Sequence, residues 1–233
     1  MSLRILTYHR VHNDDDVTNP DDPGRVNLSE FRQQMEYLAE GGFQTVTHRE
    51  IAAWLLHDES LPPRPVAIDF DDNRLNVFEN AFPIMRDLGF AGTVFTVTDL
   101  ADGAPLPEMD HYPAMRWDRL LELRDAGWCI APHTCTHRYF TTTTVEEARQ
   151  EMIQSYRRVR EVTGEETPYF AYPGGCWNHE LEAIAKEYFR TARHWHHEDV
   201  PPITRDHDPY RLPGVNVALD MTMERFRGLL MQS

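Results

Sequence analysis

The sequence predicts an α/β protein in which parallel strands alternate with helices around a distorted (β/α)7-type barrel. Short β-rich runs and amphipathic helices follow one another along the chain, which is typical of parallel strands joined by right-handed crossovers. Polar residues follow the ends of many successive strands, as in the loops at the mouth of a barrel, whereas an open sheet focuses them at one switch point. We expect a single domain over 1–233, because this length can bury one sizeable core.

The strand predictions rest on short apolar runs that end near a turn or a helix signal. Six runs have this pattern clearly, in the order LRILTY, FQTVT, PVAIDF, GTVFTV, WCIAP and PYFAY, and two later runs, YFRTAR and YRLPGVNV, have it less clearly. His9 follows the first run, Asp71 and Asp72 the third, His133 the fifth and Pro173 the sixth. These side chains are therefore expected to meet at the same end of the barrel.

The helices between these runs have recognisable first and last residues. A Gly-Gly pair ends NLSEFRQQMEYLAEGGF. Thr47 and Glu50 have the capping-box spacing at the start of THREIAAWLL, and Thr144 and Glu147 have it ahead of ARQEMIQSYRRVREVTG. WDRLLELRDAGW and NHELEAIAKEYF are two more amphipathic segments. Most strands are thus followed by a helix, as the barrel requires.

Composition excludes several classes of partner. Lys and Arg number 23 against 38 Asp and Glu, and the net charge of -15 argues against nucleic acid and anionic membranes as partners. No run approaches the roughly 18 consecutive apolar residues of a membrane span. The N-terminal MSLRILTYHRVHNDDD lacks the apolar core of a signal peptide, so a cytoplasmic protein is expected. A secreted or periplasmic chain whose leader has been removed would look the same.

Three carboxylates, Asp69, Asp71 and Asp72, end the apolar run VAIDF within four residues. In a regular strand Asp69 and Asp71 would point to one side and Asp72 to the other, unless a turn intervenes. A helix cap or a turn would explain any one of them. Three like charges at a partly buried strand end are costly unless a cation or a proton relieves them. A metal ion would do so.

The segment APHTCTHRYF places His133 and His137 directly after the apolar run WCIA. One such pair is unremarkable in a chain with 12 histidines, but this position would project both imidazoles from a strand end. Two neutral imidazoles and one carboxylate are a common ligand set for catalytic zinc, and they leave one position for water or substrate. The same set suits cobalt, nickel or iron, so we predict a divalent transition metal, with zinc favoured.

Three motifs in order, IDFDDN, HTCTH and FAYPGG, resemble those of the NodB-homology polysaccharide deacetylases, carbohydrate esterase family 4. That family has TFDDG, then H-[ST]-x-x-H, then R-x-P-[YF], and the resemblance extends over about residues 3–215. The early LTYHRV with FRQQMEYLAEGGFQTVT is similar to the branch that includes biofilm poly-N-acetylglucosamine deacetylases. The resemblance implies the (β/α)7 barrel and a metal-dependent hydrolase that removes N-acetyl groups from an N-acetylated carbohydrate.

The resemblance also implies a role for individual residues. Asp71 matches the catalytic base of the family, and Asp72, His133 and His137 match its metal ligands. Gly174 stands at the position whose backbone N–H stabilises the oxyanion. Asp69 matches no catalytic residue, and we expect a structural bond or support of the site from it.

The chain departs from the family pattern at several positions. Ala171 replaces the Arg that orients the base in many members, and Asn73 replaces the Gly of TFDDG. No clear match exists for the late Leu-x-x-His that supplies the general acid, and the similarity to the biofilm branch points to His9 instead. Alternatives are His12 and the residues of RHWHHED, whose plain interpretation is an exposed loop: His194, His196 and His197.

Two other functions stay open at this level. A small-molecule or cyclic amide hydrolase on the same fold would suit the short, acidic chain, although the intact metal ligands favour the deacetylase. A carbohydrate-binding relative with weakened chemistry would suit Asn73, the missing Arg and the unmatched acid. The sequence predicts an N-acetylated carbohydrate or related small amide as the substrate, and it does not predict the substrate length or the oligomeric state.

Overall fold

The computed structural model describes residues 1–17, 22–105, 112–196 and 200–231, which contain ten strands and eight α-helices. The strands are β1 Arg4–Tyr8, β2 Arg10–His12, β3 Arg25–Asn27, β4 Gln44–Val46, β5 Pro65–Asp71, β6 Thr93–Thr96, β7 Cys129–Pro132, β8 Tyr169–Ala171, β9 Thr191–His196 and β10 Leu212–Asn216. The helices are α1 Leu28–Glu40, α2 His48–Leu56, α3 Phe82–Asp87, α4 Thr98–Asp102, α5 Trp117–Asp125, α6 Val145–Thr163, α7 His179–Tyr188 and α8 Met223–Met231. None of the described helices has the length and apolar character that a membrane crossing needs.

Seven strands form a nearly closed parallel barrel in the order β7-β6-β5-β1-β10-β9-β8. The same edge of β5 pairs first with β4 and then with β6, and β2 pairs with β3 in a separate two-stranded sheet. Among the described residues no backbone ladder joins β7 to β8. The side chain of His133, directly after β7, spans that gap and donates from Nδ1 to the Ala171 carbonyl at 2.8 Å. The predicted barrel is confirmed, with all eight predicted strands in place and β2 and β3 in addition.

The two faces of the barrel strands differ in chemistry. Alternate residues point outwards, and they pack with the helices in the largest apolar cluster, which includes Leu6, Tyr8, Ile68, Phe70 and Phe31. The remaining residues point into the barrel, where a small apolar cluster lies beside fully buried polar side chains. The polar ones are Thr7, His48, Asp69, Asp71 and Arg193. The barrel interior therefore carries charge directly below its mouth.

The segment after β5 differs from the regular helix expected for RLNVFENAFPIM. It forms a π-helical turn over Val77–Ala81, and α3 begins only at Phe82. Pro83 has no N–H to donate to the carbonyl four residues earlier, so an α-helical ladder cannot pass through this point. The chain between β5 and α3 is consequently longer and more irregular than predicted.

Candidate active site

A cleft of about 410 Å³ opens at the carboxyl ends of the barrel strands. Five of the six site residues predicted from the sequence line it, namely His9, Asp72, His133, His137 and Gly174. The sixth, Asp71, is fully buried as the last residue of β5. The fold thus gathers residues from the ends of four strands, β1, β5, β7 and β8, at one place.

Asp72, His133 and His137 bring three ligand atoms together within 4.8 Å of one another. Asp72 Oδ1 lies 3.1 Å from His137 Nε2 and 3.7 Å from His133 Nε2, but it has no hydrogen-bond partner among the described residues. Since the Nδ1 of His133 carries the proton it donates to Ala171, its Nε2 is left with a lone pair facing Asp72. A carboxylate and an imidazole that converge without hydrogen-bonding fit a divalent metal.

A left-handed turn after β5 separates the roles of the two neighbouring carboxylates. Asp72 has φ of 68° and Asn73 has φ of 40°, so Asp71 stays with the strand while Asp72 turns into the cleft. Asn73 is buried and holds the turn, because its Nδ2 donates to the Met115 carbonyl at 2.9 Å and its Oδ1 accepts from the Val97 N–H at 3.0 Å. The Asn in place of the family Gly thus anchors the backbone and lies outside the cleft lining.

The loop that carries His137 is shaped by a carboxylate from α6. Glu151 accepts hydrogen bonds from the backbone N–H groups of Cys135 at 2.8 Å and Thr136 at 2.9 Å, and from the Thr136 hydroxyl at 2.8 Å. His137 itself has φ of 60°, and its N–H donates to the Thr134 hydroxyl at 3.0 Å. Sequence reasoning missed Glu151, because nothing local links α6 to the HTCTH motif.

Arg193 of β9 holds the buried carboxylates below the cleft. Its guanidinium pairs with Asp71 Oδ1, and its Nε lies 2.8 Å from Asp69 Oδ2, to which His48 Nε2 also comes within 3.0 Å. Arg193 is fully buried and stacks on Phe95, 4.8 Å from the ring centroid. Asp71 therefore has an arginine partner, although Ala171 stands at the motif position where many family members have Arg. This partner comes from β9, outside all three motifs, and its only signal is an Arg at an inward position of a strand.

Burial and the charges around Asp71 shift the pKa values of several side chains at the site. Burial alone would raise the pKa of Asp71, but Arg193 and the nearby imidazoles outweigh it and lower that pKa. Burial lowers the pKa of His133 to about 4. For His137 the lowering effect of burial is exceeded by Asp72, which raises the pKa. The negative charge of Asp72 therefore favours the protonated form of His137.

His9 lies at the cleft beside the buried carboxylate of Asp71. Its Nε2 is 4.0 Å from Asp71 Oδ2, and its side chain is 14% exposed. The register explains this proximity, since Thr7 pairs with Asp69 and the next inward residues of the two strands are His9 and Asp71. The His9 ring meets the Trp195 ring edge to face at a centroid distance of 5.8 Å. Burial lowers the pKa of His9, and the nearby carboxylates Asp71 and Asp72 offset part of this.

The alternative histidines lie elsewhere. His12 bonds to Asp16 through Nδ1 at 2.7 Å and lines a separate small cavity. His194 lies with Nε2 3.2 Å from the Arg211 carbonyl, and neither it nor His196 lines the cleft. The residues of RHWHHED up to His196 belong to β9, so the expectation of an exposed loop is wrong for them. His197 lies outside the described residues.

Gly174 sits in a tight turn that only glycine fits. Its φ is 61°, and a Cβ at this position would lie 2.3 Å from the Tyr139 ring. Tyr139 in turn packs edge to face against the His137 ring at 5.7 Å. An aromatic residue from elsewhere in the chain thus covers the position where the family motif usually has one.

Residues 58–192, more than half of the chain, match the family model described as polysaccharide deacetylase. The chain belongs to the polysaccharide deacetylase family. The resemblance drawn from the motifs is thereby confirmed. The matched range contains Asp71, Asp72, His133, His137 and Gly174, whereas His9 and Arg193 lie outside it.

Two related sequences and one solved structure extend the comparison beyond the matched range. A Bacillus subtilis protein, YxkH, named only provisionally as a polysaccharide deacetylase, is 25% identical over 225 residues, which cover 96% of this chain and 74% of YxkH. The poly-beta-1,6-N-acetyl-D-glucosamine N-deacetylase of Staphylococcus epidermidis is 22% identical over 237 residues, covering 94% of this chain and 80% of that enzyme. The structure of the Streptococcus pyogenes deacetylase PplD in complex with acetate superposes with a TM-score of 0.84 at 20% identity, over 99% and 98% of the two chains. That likeness extends the family fold to almost the whole chain.

Proposed function

We propose that this protein is a metal-dependent hydrolase that cleaves the acetamide of an N-acetylated carbohydrate into acetate and a free amine. Family membership supports N-deacetylation of a carbohydrate, that is, hydrolysis of a carbon–nitrogen bond outside peptides. The observation that carries the proposal is the convergence of Asp72, His133 and His137 beside the buried Asp71 at one cleft.

Asp72, His133 and His137 would hold a divalent metal, which would polarise the acetamide carbonyl and lower the pKa of a water molecule. One anionic oxygen and two imidazole nitrogens suit zinc, and also cobalt, nickel or iron. The surrounding residues prepare this ligand set. Ala171 fixes the tautomer of His133, and Glu151 shapes the loop of His137.

Asp71 is the general base that takes the proton from the attacking water. Its Oδ1 is held by Arg193, and its Oδ2 has no hydrogen-bond partner among the described residues, so one oxygen is left to accept a proton. Arg193 and the nearby imidazoles together keep Asp71 ionised, because their combined effect outweighs the cost of burying the charge. Asp69 contacts the Nε of Arg193, and His48 in turn contacts Asp69.

Gly174 and His9 act on the two ends of the breaking amide. The backbone N–H of Gly174 stabilises the oxyanion as water adds to the carbonyl carbon. His9, in its protonated form, gives its proton to the nitrogen as the carbon–nitrogen bond breaks, and acetate and an amine result. Its lowered pKa makes the imidazolium a readier proton donor.

Acetate release by the zinc-loaded protein tests the proposal. We expect release from N-acetylglucosamine oligomers, loss of release on chelation and its return with zinc or cobalt. Turnover of allantoin or simple amides without release from the oligomers would favour the small-molecule amide hydrolase. Purified protein that binds less than about a tenth of an equivalent of added zinc or cobalt would favour the carbohydrate-binding relative.

A further inference from the structure

We propose that Asn216 is a further substrate-positioning residue, which accepts a hydrogen bond from the sugar on the leaving-group side of the scissile amide. This rests on the proposed function and adds a determinant of specificity to it. Asn216 lies outside the region matched by the family model and in none of the three motifs.

The barrel topology puts Asn216 on the same side of the cleft as His9. It is the last residue of β10, which runs between β1 and β9 and pairs with both. The chain that continues from β1 carries His9, and β9 carries Trp195, and the two rings meet each other across β10. Asn216 lines the cleft at the end of this middle strand, between the strand ends that carry His9 and Trp195, where the proposed reaction has its leaving group.

The side chain of Asn216 has an unsatisfied hydrogen-bond acceptor among the described residues. The residue is 4% exposed, and its Oδ1 is buried without a hydrogen-bond partner among the described residues. A buried amide oxygen left unpaired is costly, and folded proteins rarely tolerate it where no ligand or water can supply a donor. At the wall of a substrate cleft, the substrate can be that donor.

In the part of the chain that the structure describes, Thr7 has the same kind of unpartnered oxygen as Asn216 but has no access to the cleft. It is the register partner of Asn216 on β1, it is fully buried, and its Oγ1 is also unpartnered among the described residues. It does not line the cleft, so no substrate can reach it. Thr7 is therefore a matched control at the same level of the barrel.

The chemistry of Asn216 indicates an uncharged donor on the substrate. An amide oxygen is an uncharged hydrogen-bond acceptor. It therefore suits a sugar hydroxyl or the acetamide N–H as the donor, and it does not select for a charged group such as an ammonium or a carboxylate. The indole of Trp195 beside it adds an apolar face of the kind that packs against a sugar ring. A site built to receive a hydroxyl or N–H discriminates strongly against analogues that lack it.

The test compares two substrates in the zinc-loaded protein. N-Acetylglucosamine oligomers offer hydroxyl and N–H donors, whereas 4-nitrophenyl acetate offers none on its leaving group. For Asn216→Leu we expect the ratio of kcat/KM on the oligomer to kcat/KM on the ester to fall by about tenfold, the loss of one buried hydrogen bond. Thr7→Val should keep the wild-type ratio. Asn216→Ala serves as a second variant, and zinc content and the melting temperature report folding.

The outcomes separate this assignment from the proposed function. A fall in the ratio for Asn216→Leu and Asn216→Ala, with Thr7→Val unchanged, supports it. Equal losses of kcat/KM on both substrates would reduce Asn216 to a structural role, and wild-type kcat/KM on both substrates would remove its contact with the sugar. A wild-type protein that releases no acetate from the oligomers overturns the proposed function and the assignment together.

Discussion

Replacing Arg193 by Leu would leave two buried carboxylates without their shared cation. Arg193, Asp69 and Asp71 are all fully buried, and the guanidinium contacts both carboxylates. Removing one partner from a buried ionic network typically costs about 3–5 kcal/mol. A domain is stable by roughly 5–15 kcal/mol in all, so Arg193→Leu should lower the midpoint of urea unfolding markedly.

The effect of Arg193→Leu on the free energy of unfolding should also depend on pH, in a direction that follows from the pKa of Asp71. In the wild-type protein the pKa of Asp71 is lowered, so its ionised form contributes stability above the unfolded-state pKa of about 3.9, and this is lost as the pH falls through the folded pKa. Without Arg193 the largest effect that opposes burial is lost, so the pKa of Asp71 rises. The deficit of Arg193→Leu should therefore be smallest in acid and grow as the pH rises from about 4 to 7.

Urea unfolding at several pH values, followed by circular dichroism, measures both effects. Arg86→Leu is the matched control, because Arg86 pairs with Asp87 at 3.6 Å on the surface, where both side chains are more than half exposed. It should leave the midpoint nearly unchanged. An Arg193→Leu protein as stable as the wild type at pH 7, or one with a deficit that grows in acid, would refute the reasoning about charge balance.

Three further predictions concern the site itself. Asp71→Asn should lower kcat by about 100-fold or more while zinc content stays at the wild-type level, and wild-type kcat would exclude Asp71 as the base. Zinc affinity, measured by titration with a competing chelator, should weaken as the pH falls, because the raised pKa of His137 makes a proton compete with the metal; an affinity independent of pH would contradict this ligand set. Glu151→Gln should weaken zinc binding, because charge-assisted hydrogen bonds to the loop of His137 are lost. The exposed Glu146 on the same helix is its control, and equal affinities of Glu151→Gln and Glu146→Gln would show that the loop needs no such support.

The sequence predicted what local patterns encode and missed what long-range pairing creates. Apolar runs predicted eight of the ten described strands, and five of the six site residues predicted at strand ends line the cleft. The strands β2 and β3, with the sequences RVH and RVN, contain one apolar residue each and so form no apolar run that would reveal them. Arg193 and Glu151 act on the site from 122 and 16 residues away in sequence, so only the folded chain reveals their partners.

Asn73 illustrates how a departure from a motif is interpreted differently once the structure is known. In the sequence it stands where the family has Gly, and it raised the question of a weakened site. In the fold it tolerates the left-handed turn and adds two hydrogen bonds that tie the turn to neighbouring segments. The substitution therefore changes how the backbone is held and leaves the ligand set intact.

The hydrogen bond from His133 to Ala171 has a consequence for how mutants of the site are compared. It bridges the one seam of the barrel that lacks a described backbone ladder, and it belongs to a residue that also offers a ligand atom. Mutation of His133 would therefore remove the hydrogen bond between the ends of β7 and β8 as well as a ligand atom. Mutation of His137 would remove a ligand atom alone. Loss of metal would thus combine two causes in the His133 variant and would have one cause in the His137 variant. A metal bound at the site would help to keep the ends of β7 and β8 together.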